Sequence, residues 1–72
     1  MEKKDLLKKF GKNVKIERVK KDLTQEQLAE IMNISQNYLS SIELGKENMS
    51  LGKILELSKF LDTDIANLLN FK

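Results

Sequence analysis

Two short helical patterns separated by a tight-turn signal occupy residues 24–45 and constrain the fold more than any other stretch. Thr24 followed three residues later by Gln27 forms a capping box, which predicts that a helix begins here. Asn33 tolerates the left-handed conformation that ends a helix sharply, and Ser35 can cap a second helix. The segment therefore predicts a helix, a short turn and another helix.

Each of these two helices has one apolar side. The apolar positions at helical spacing are Leu28, Ala29 and Met32 in the first helix and Leu39 and Ile42 in the second. The remaining side chains near the start of the second helix are short, polar and uncharged, and Gly45 provides its exit. We expect the apolar sides to join a common core and the polar side of the second helix to face solvent.

Helical spacing of apolar residues recurs in the rest of the chain. The pattern predicts a first helix over residues 5–20, a fourth from Leu51 and a short fifth, Ile65 to Leu69, capped by Asp64. In the fourth helix the expected core positions are Leu51, Ile54, Leu57, Phe60 and Leu61. A chain of 72 residues has room for one small core. We therefore predict an all-α, five-helix fold in a single domain, residues 1–72, with its motif at 24–44.

Composition excludes several classes of function. The chain has no Cys and no His, which rules out disulfides, Cys/His zinc sites and thiol or imidazole chemistry. We therefore expect neither an enzyme nor a metal or other cofactor. No apolar run approaches the length of a membrane span, and the charged start lacks the apolar core of a signal peptide. The expected location is the cytoplasm.

The charges are distributed unevenly along the chain. Residues 1–21 carry nine Lys or Arg against three acids, a net +6, whereas residues 22–45 carry four acids and no base, a net −4. If the chain binds a polyanion, the attraction has to come from outside the acidic segment. The alternative interpretation of the amino-terminal lysines is a solvated, solubilising face.

The central segment resembles the lambda-repressor-like family of DNA-binding domains. The resemblance rests on the opening Thr24-Gln25-x-x-Leu28-Ala29 and the close Ile42-Glu43-x-Gly45-Lys46, and it covers about residues 10–69. It implies a helix-turn-helix whose second helix enters the DNA major groove. The alternative is a structural corner of an all-helical core.

The second motif helix carries the expected base contacts. Gln36 and Asn37 are amides that match the N6 and N7 edge of adenine, and Ser41 lies on the same side. Tyr38 either packs on a thymine methyl or covers the core edge. Because this helix has no Arg or Lys, we expect A·T-rich contacted positions and a contribution from DNA shape.

The resemblance also implies phosphate contacts around the motif. The residues at the matching positions are Gln25, Ser35, Lys46 and Asn48. In the family the glutamine also braces the first residue of the recognition helix, which here is Gln36. The alternative for Gln25 is an ordinary first-turn residue.

An inward arginine requires a partner. Arg18 continues the apolar stripe of Phe10 and Val14, so its charge points at the core. An unpaired charge there costs about 3 to 5 kcal/mol. The resemblance implies that Glu43 is the partner. The alternative is two unrelated surface charges.

The carboxyl-terminal segment is more apolar than a chain end requires. We expect an exposed patch that forms a twofold dimer interface from Leu55, Ile65, Leu68, Leu69 and Phe71. The alternative is that these side chains close the core.

These observations favour a sequence-specific, double-stranded DNA-binding transcription regulator that acts as a homodimer on a short palindromic operator. It would repress by blocking RNA polymerase or activate by touching it, with no small-molecule effector. The stretch 37–43 and Asn48 resemble the controller proteins of restriction-modification systems. The rival is a protein-interaction module of the same fold, such as an antitoxin or another regulator, which the acidic motif favours.

Overall fold

Five α-helices make up the computed structural model, which describes residues 1–71. Their bounds are α1 Lys3–Lys20, α2 Gln25–Met32, α3 Gln36–Glu43, α4 Leu51–Phe60 and α5 Ile65–Leu68. The described residues contain no strand, so the predicted all-α, five-helix class is confirmed. Within the same residues no helix combines the length and the apolar character needed to cross a membrane.

The turn between α2 and α3 forms as its capping residues predict. Thr24 Oγ1 accepts a hydrogen bond from the Gln27 backbone N–H at 3.0 Å, and Gln27 Oε1 accepts one from the Thr24 N–H at 2.9 Å. Asn33 ends α2 in the left-handed conformation, with φ 57° and ψ 44°. Ser35 Oγ then accepts from the Tyr38 N–H at 3.0 Å. Local hydrogen bonds therefore fix both helix starts.

One hydrophobic core joins all five helices. Its buried apolar members are Phe10, Val14, Leu28, Ala29, Leu39, Ile42, Ile54, Leu57, Leu61 and Leu68. The largest of the fully buried side chains come from α2 to α5, and α1 covers them with Phe10 and Val14. The core therefore orients α2 and α3 against the other three helices.

Two expected core residues of α4 are exposed. Leu51 and Phe60 lie outside the buried stripe, which runs through Ile54, Leu57 and Ser58 to Leu61 just past the helix end. Ser58 is accommodated there because its hydroxyl donates to the Leu55 carbonyl at 2.6 Å. Phe60 is turned away from the stripe by the 3.6-residue period, so its assignment to the core was wrong.

The start and the interior of α5 also differ from expectation. Asp64 occupies the position before α5, but its side chain makes no capping hydrogen bond. Leu68 is fully buried within its own chain and cannot line an exposed dimer interface, so that assignment was wrong. A four-residue helix presents one side to the core, and Leu68 occupies it.

Polar contacts from α1 hold this carboxyl-terminal segment. Asn13 Nδ2 donates to the carbonyls of Leu68 at 3.0 Å and Asn70 at 2.8 Å. Thr63 Oγ1 donates to the buried Glu17 carboxylate at 2.8 Å. This hydroxyl lowers the pKa of Glu17 below its usual value. Burial opposes the shift, and the Lys20 ammonium assists it.

Candidate nucleic-acid interface

The outer side of α3 presents a row of polar side chains. Gln36 and Asn37 are exposed in its first turn, and Ser41 is half-buried one turn further along. We call these three residues the reading row. Tyr38 is also half-buried and packs against the core, so part of its ring covers the core edge as one alternative anticipated. The row has the short hydrogen-bonding groups that can reach the edges of bases.

The backbone of α1 touches the end of α3 at Gly11. A Cβ atom added there would lie 2.5 Å from the carbonyl oxygens of both Ile42 and Glu43. No side chain larger than hydrogen fits without moving one helix. Gly11 therefore sets the distance between the two helix axes.

A buried ion pair fixes α3 more firmly. Arg18 Nε donates to Glu43 Oε2 at 2.7 Å, and Arg18 Nη2 donates to Glu43 Oε1 at 3.1 Å. The exposed fractions of these side chains are 9% and 3%. Arg18 Nη1 also donates to the Leu23 carbonyl at 2.7 Å. The guanidinium thus joins α1, the segment before α2 and the last residue of α3.

Gln25 contacts Glu43 and does not brace Gln36. Its Nε2 donates to Glu43 Oε1 at 3.0 Å, and the described residues show no hydrogen bond between Gln25 and Gln36. The family expectation of a brace to Gln36 is wrong for this chain, because a buried carboxylate is the stronger acceptor. One carboxylate therefore links the start of α2 to the end of α3.

The other residues expected at phosphates surround the reading row. Ser35 is exposed and uses its oxygen as the α3 cap, which leaves its O–H as a donor. Lys46 and Asn48 are exposed in the loop after α3. Gly45 turns the chain with φ 77°, and the Lys46 N–H donates to the Ser41 carbonyl at 2.9 Å. The loop therefore begins at a fixed point beside the row.

Sequence reasoning missed two polar ties of the scaffold. The contact of Gln25 with Glu43 and that of Asn13 with the tail both join residues far apart in the chain. No spacing or composition signal in a single sequence indicates such contacts. The asparagine in α1 could only have been noticed as a polar residue beside an apolar stripe.

Comparison with known proteins identifies the family. The family model described as helix-turn-helix matches residues 14–68. The control protein C.SmaI of Serratia marcescens is 35% identical over 65 residues, which cover 90% of this chain and 77% of that protein. The control protein C.BamHI of Bacillus amyloliquefaciens is 38% identical over 63 residues, which cover 86% and 78%.

Solved structures agree with these sequence relatives. The restriction-modification controller protein C.AhdI of Aeromonas hydrophila superposes with a TM-score of 0.78 and 37% identity, covering 86% of this chain and 94% of that one. The hypothetical transcription factor NHTF of Neisseria superposes with a TM-score of 0.83 and 27% identity, covering 97% and 80%. Together with the buried scaffold of the reading row, these matches show that the chain belongs to the helix-turn-helix family of DNA-binding transcription regulators, among the controller proteins of restriction-modification systems.

Proposed function

We propose that this chain binds a short palindromic operator in double-stranded DNA as a homodimer and so regulates transcription. The observation that carries the proposal is the reading row, whose exposed amides lie on a helix held by a buried, bidentate ion pair. A helix whose position is fixed in this way presents base-reading groups at a constant depth and angle. Such rigidity is what discrimination between base pairs requires.

Adenine is the base that the reading row suits best. An amide side chain donates one hydrogen bond and accepts another, which matches the N7 and N6 groups of adenine in the major groove. Gln36 and Asn37 supply two such amides, with Ser41 and Tyr38 as further contacts. Because α3 contains no Arg or Lys, guanine lacks its commonest reader, and the operator should be A·T-rich where it is contacted.

Phosphate contacts would set the register of the duplex on the protein. Gln25 and Ser35 lie at the starts of α2 and α3, where free N–H groups favour anions. Lys46 and Asn48 follow on the far side of α3. These four residues flank the reading row and would hold the two backbones of one major groove.

A dimer interface is supported by an apolar surface on the opposite part of the molecule. Leu55 and Leu69 are 46% and 36% exposed, and Leu51 beside them is 72% exposed. Ile65 and Phe71 are half-buried and pack against the core at the edge of this surface. A twofold axis through this surface would place two reading rows about 34 Å apart, one turn of B-DNA.

Regulation would follow from operator occupancy. A bound dimer represses by blocking RNA polymerase or activates by touching it, in the cytoplasm. The relatives named control proteins, and the restriction-modification controller among the solved structures, support a role beside a restriction enzyme gene.

The acidic character of the motif favours a second function. Residues 22–45 carry a net charge of −4, which suits a basic protein partner better than a phosphate backbone. An interaction module of the same fold, such as an antitoxin or a regulator of another protein, would use this surface directly.

A binding titration against the DNA upstream of the chain's own gene distinguishes the two functions. We expect specific binding that weakens steeply as salt increases, because phosphate contacts release counterions. The competitor is a scrambled duplex of the same composition. Equal binding to both duplexes at low salt would exclude the operator function and leave the protein-interaction function.

Substitution within the row tests direct reading. Gln36→Ala should reduce discrimination at one base position by about 1 to 3 kcal/mol and leave the melting temperature unchanged. Asn48→Ala is the contrasting variant, because loss of a phosphate contact should weaken all duplexes equally. Uniform weakening by Gln36→Ala would show that this residue does not read a base.

Sedimentation measures the dimer. Leu55→Glu places a charge in the proposed interface and should give monomers at concentrations where the wild-type chain is dimeric. Ile31→Glu is the matched control, since Ile31 is an equally exposed apolar residue on α2. Dissociation by Ile31→Glu alone would move the interface to α2.

A further inference from the structure

A groove of about 650 Å³ lies between α1 and α3 and belongs to none of the contacts described above. Its apolar lining is Ile16, Val19 and Leu44, which are 41%, 55% and 57% exposed. Three lysines surround this lining, namely Lys12, Lys15 and Lys20. We call it the lysine groove. It combines exposed apolar surface with concentrated positive charge.

Two of the three lysines have no acidic partner in their own chain. The ion pairs among residues 1–71 involve Arg18, Lys20, Lys21 and Lys53, and none involves Lys12 or Lys15. Lys20 pairs with Glu17 at 3.1 Å, with a side chain that is largely in solvent. The groove therefore has two uncompensated charges available for an anion.

The lysine groove is continuous with the reading row. Ser40 and Leu44 line the groove, and they follow Asn37 and Ser41 of the row by three residues, almost one helical turn. Gln25, at the start of α2, lines the groove from the other side. A duplex seated on the row would therefore run one of its backbones past the opening of the groove.

We propose that Lys12 and Lys15, assisted by Lys20, bind the phosphates of the DNA backbone that flanks the major groove read by α3. This inference rests on the proposed DNA-binding function and identifies where its electrostatic attraction originates. The motif has a net charge of −4, so the lysines of α1 offset the repulsion between the motif and the phosphates. The apolar lining limits access of water, which strengthens the attraction between an ammonium and a phosphate.

An acidic segment of another protein is the competing ligand. It would satisfy the same lysines and cover Ile16, Val19 and Leu44. Two positions favour DNA, because Ser40 and Gln25 connect the groove with the reading row and with the α2 start, where backbone N–H groups attract phosphate.

The test compares two double variants of equal charge. Lys12→Gln/Lys15→Gln removes two charges from the groove, and Lys53→Gln/Lys59→Gln removes two exposed charges from α4. The probe is a short duplex of the upstream DNA, titrated over a series of salt concentrations. For the groove variant the slope of log Kd against log salt should fall by about 1.8, since each phosphate contact contributes about 0.9. The α4 variant should keep the wild-type slope.

Neutral phosphates provide the second measurement. Replacing the phosphates that flank the contacted major groove with methylphosphonates should weaken wild-type binding and leave the groove variant nearly unaffected. Equal slopes for the two variants would overturn the inference and assign the groove to an acidic protein segment. Absence of specific binding by the wild-type chain would instead overturn the proposed function itself, so the two failures are distinguishable.

Discussion

The helix-turn-helix segment and the segment after α4 are both held against α1, by different means. In the first segment, side-chain caps at Thr24 and Ser35 define the helix starts before any long-range contact is made. In the second, α5 is four residues long, and Asp64 provides no cap hydrogen bond. Its position depends on Leu68 in the core and on polar contacts from α1.

This difference separates local from long-range determination of structure. An isolated helix of α5's length is not stable in water, so α5 exists because the core and α1 accept it. The motif helices also need the core, but their ends are specified by neighbouring residues. The same helix α1 therefore positions a locally specified unit and supports one that has little structure of its own.

Loss of the buried arginine should have the largest effect on the motif side. Arg18→Met leaves the Glu43 carboxylate buried without its cation and should lower the free energy of unfolding by about 3 to 5 kcal/mol. Denaturant titration followed by circular dichroism measures this. The double variant Arg18→Met/Glu43→Leu should recover much of the loss, since no buried charge remains. An unchanged melting temperature in both Arg18→Met and Glu43→Ala would contradict burial of the pair.

Truncation of the anchor of α5 should have the next largest effect. Leu68→Ala leaves a cavity in the core and should lower the free energy of unfolding by about 2 to 5 kcal/mol. The neighbouring Leu69 is partly exposed, so Leu69→Ala is a matched control with a smaller expected loss. Similar losses in the two variants, measured by the same titration, would mean that α5 is not anchored through one side.

The contact between Thr63 and Glu17 predicts a pH dependence. Since the pKa of Glu17 is lowered by folding, its contribution to stability is present above the usual value of 4.5 and is lost as the pH falls through the folded-state pKa. Thr63→Val should cost about 1.5 to 3 kcal/mol at neutral pH. The difference from the wild type should shrink in stronger acid. A difference that stays constant with pH would assign it to packing.

Cap substitutions should give the smallest effects and the clearest contrast. Thr24→Ala removes a capping box and should cost about 1 kcal/mol. Asp64→Ala removes a side chain without a cap hydrogen bond and should change stability by less than about 0.5 kcal/mol. Thermal unfolding of both variants measures the contrast. Equal losses would show that Asp64 caps α5 in solution.

The predictability of the fold follows the same division. Thr24, Asn33 and Ser35 specify α2, the turn and α3 through neighbouring backbone groups, so their pattern predicted the structure found. Phe60 and Leu68 were misassigned because exposure depends on which side of a short helix faces the core. Apolar spacing alone does not determine that rotation when apolar residues surround the helix.

The candidate site was predictable to a similar extent. Helical spacing indicated that Gln36 and Asn37 face outward, and the family resemblance suggested the pairing of Arg18 with Glu43, which the structure contains. The resemblance failed for Gln25, whose acceptor is decided by the nearest strong acceptor in three dimensions. The lysine groove had no signal beyond the charge imbalance, because its lining comes from three separate helices.

Gly11 has a consequence for altering which operator the protein selects. The separation of α1 and α3 is determined there by main-chain atoms alone, so it does not depend on the volume of any side chain on the outer row. Residues 36, 37 and 41 can therefore be randomised in a library without shifting the helix that carries them. A change in target preference obtained in this way would report base chemistry rather than a displaced backbone.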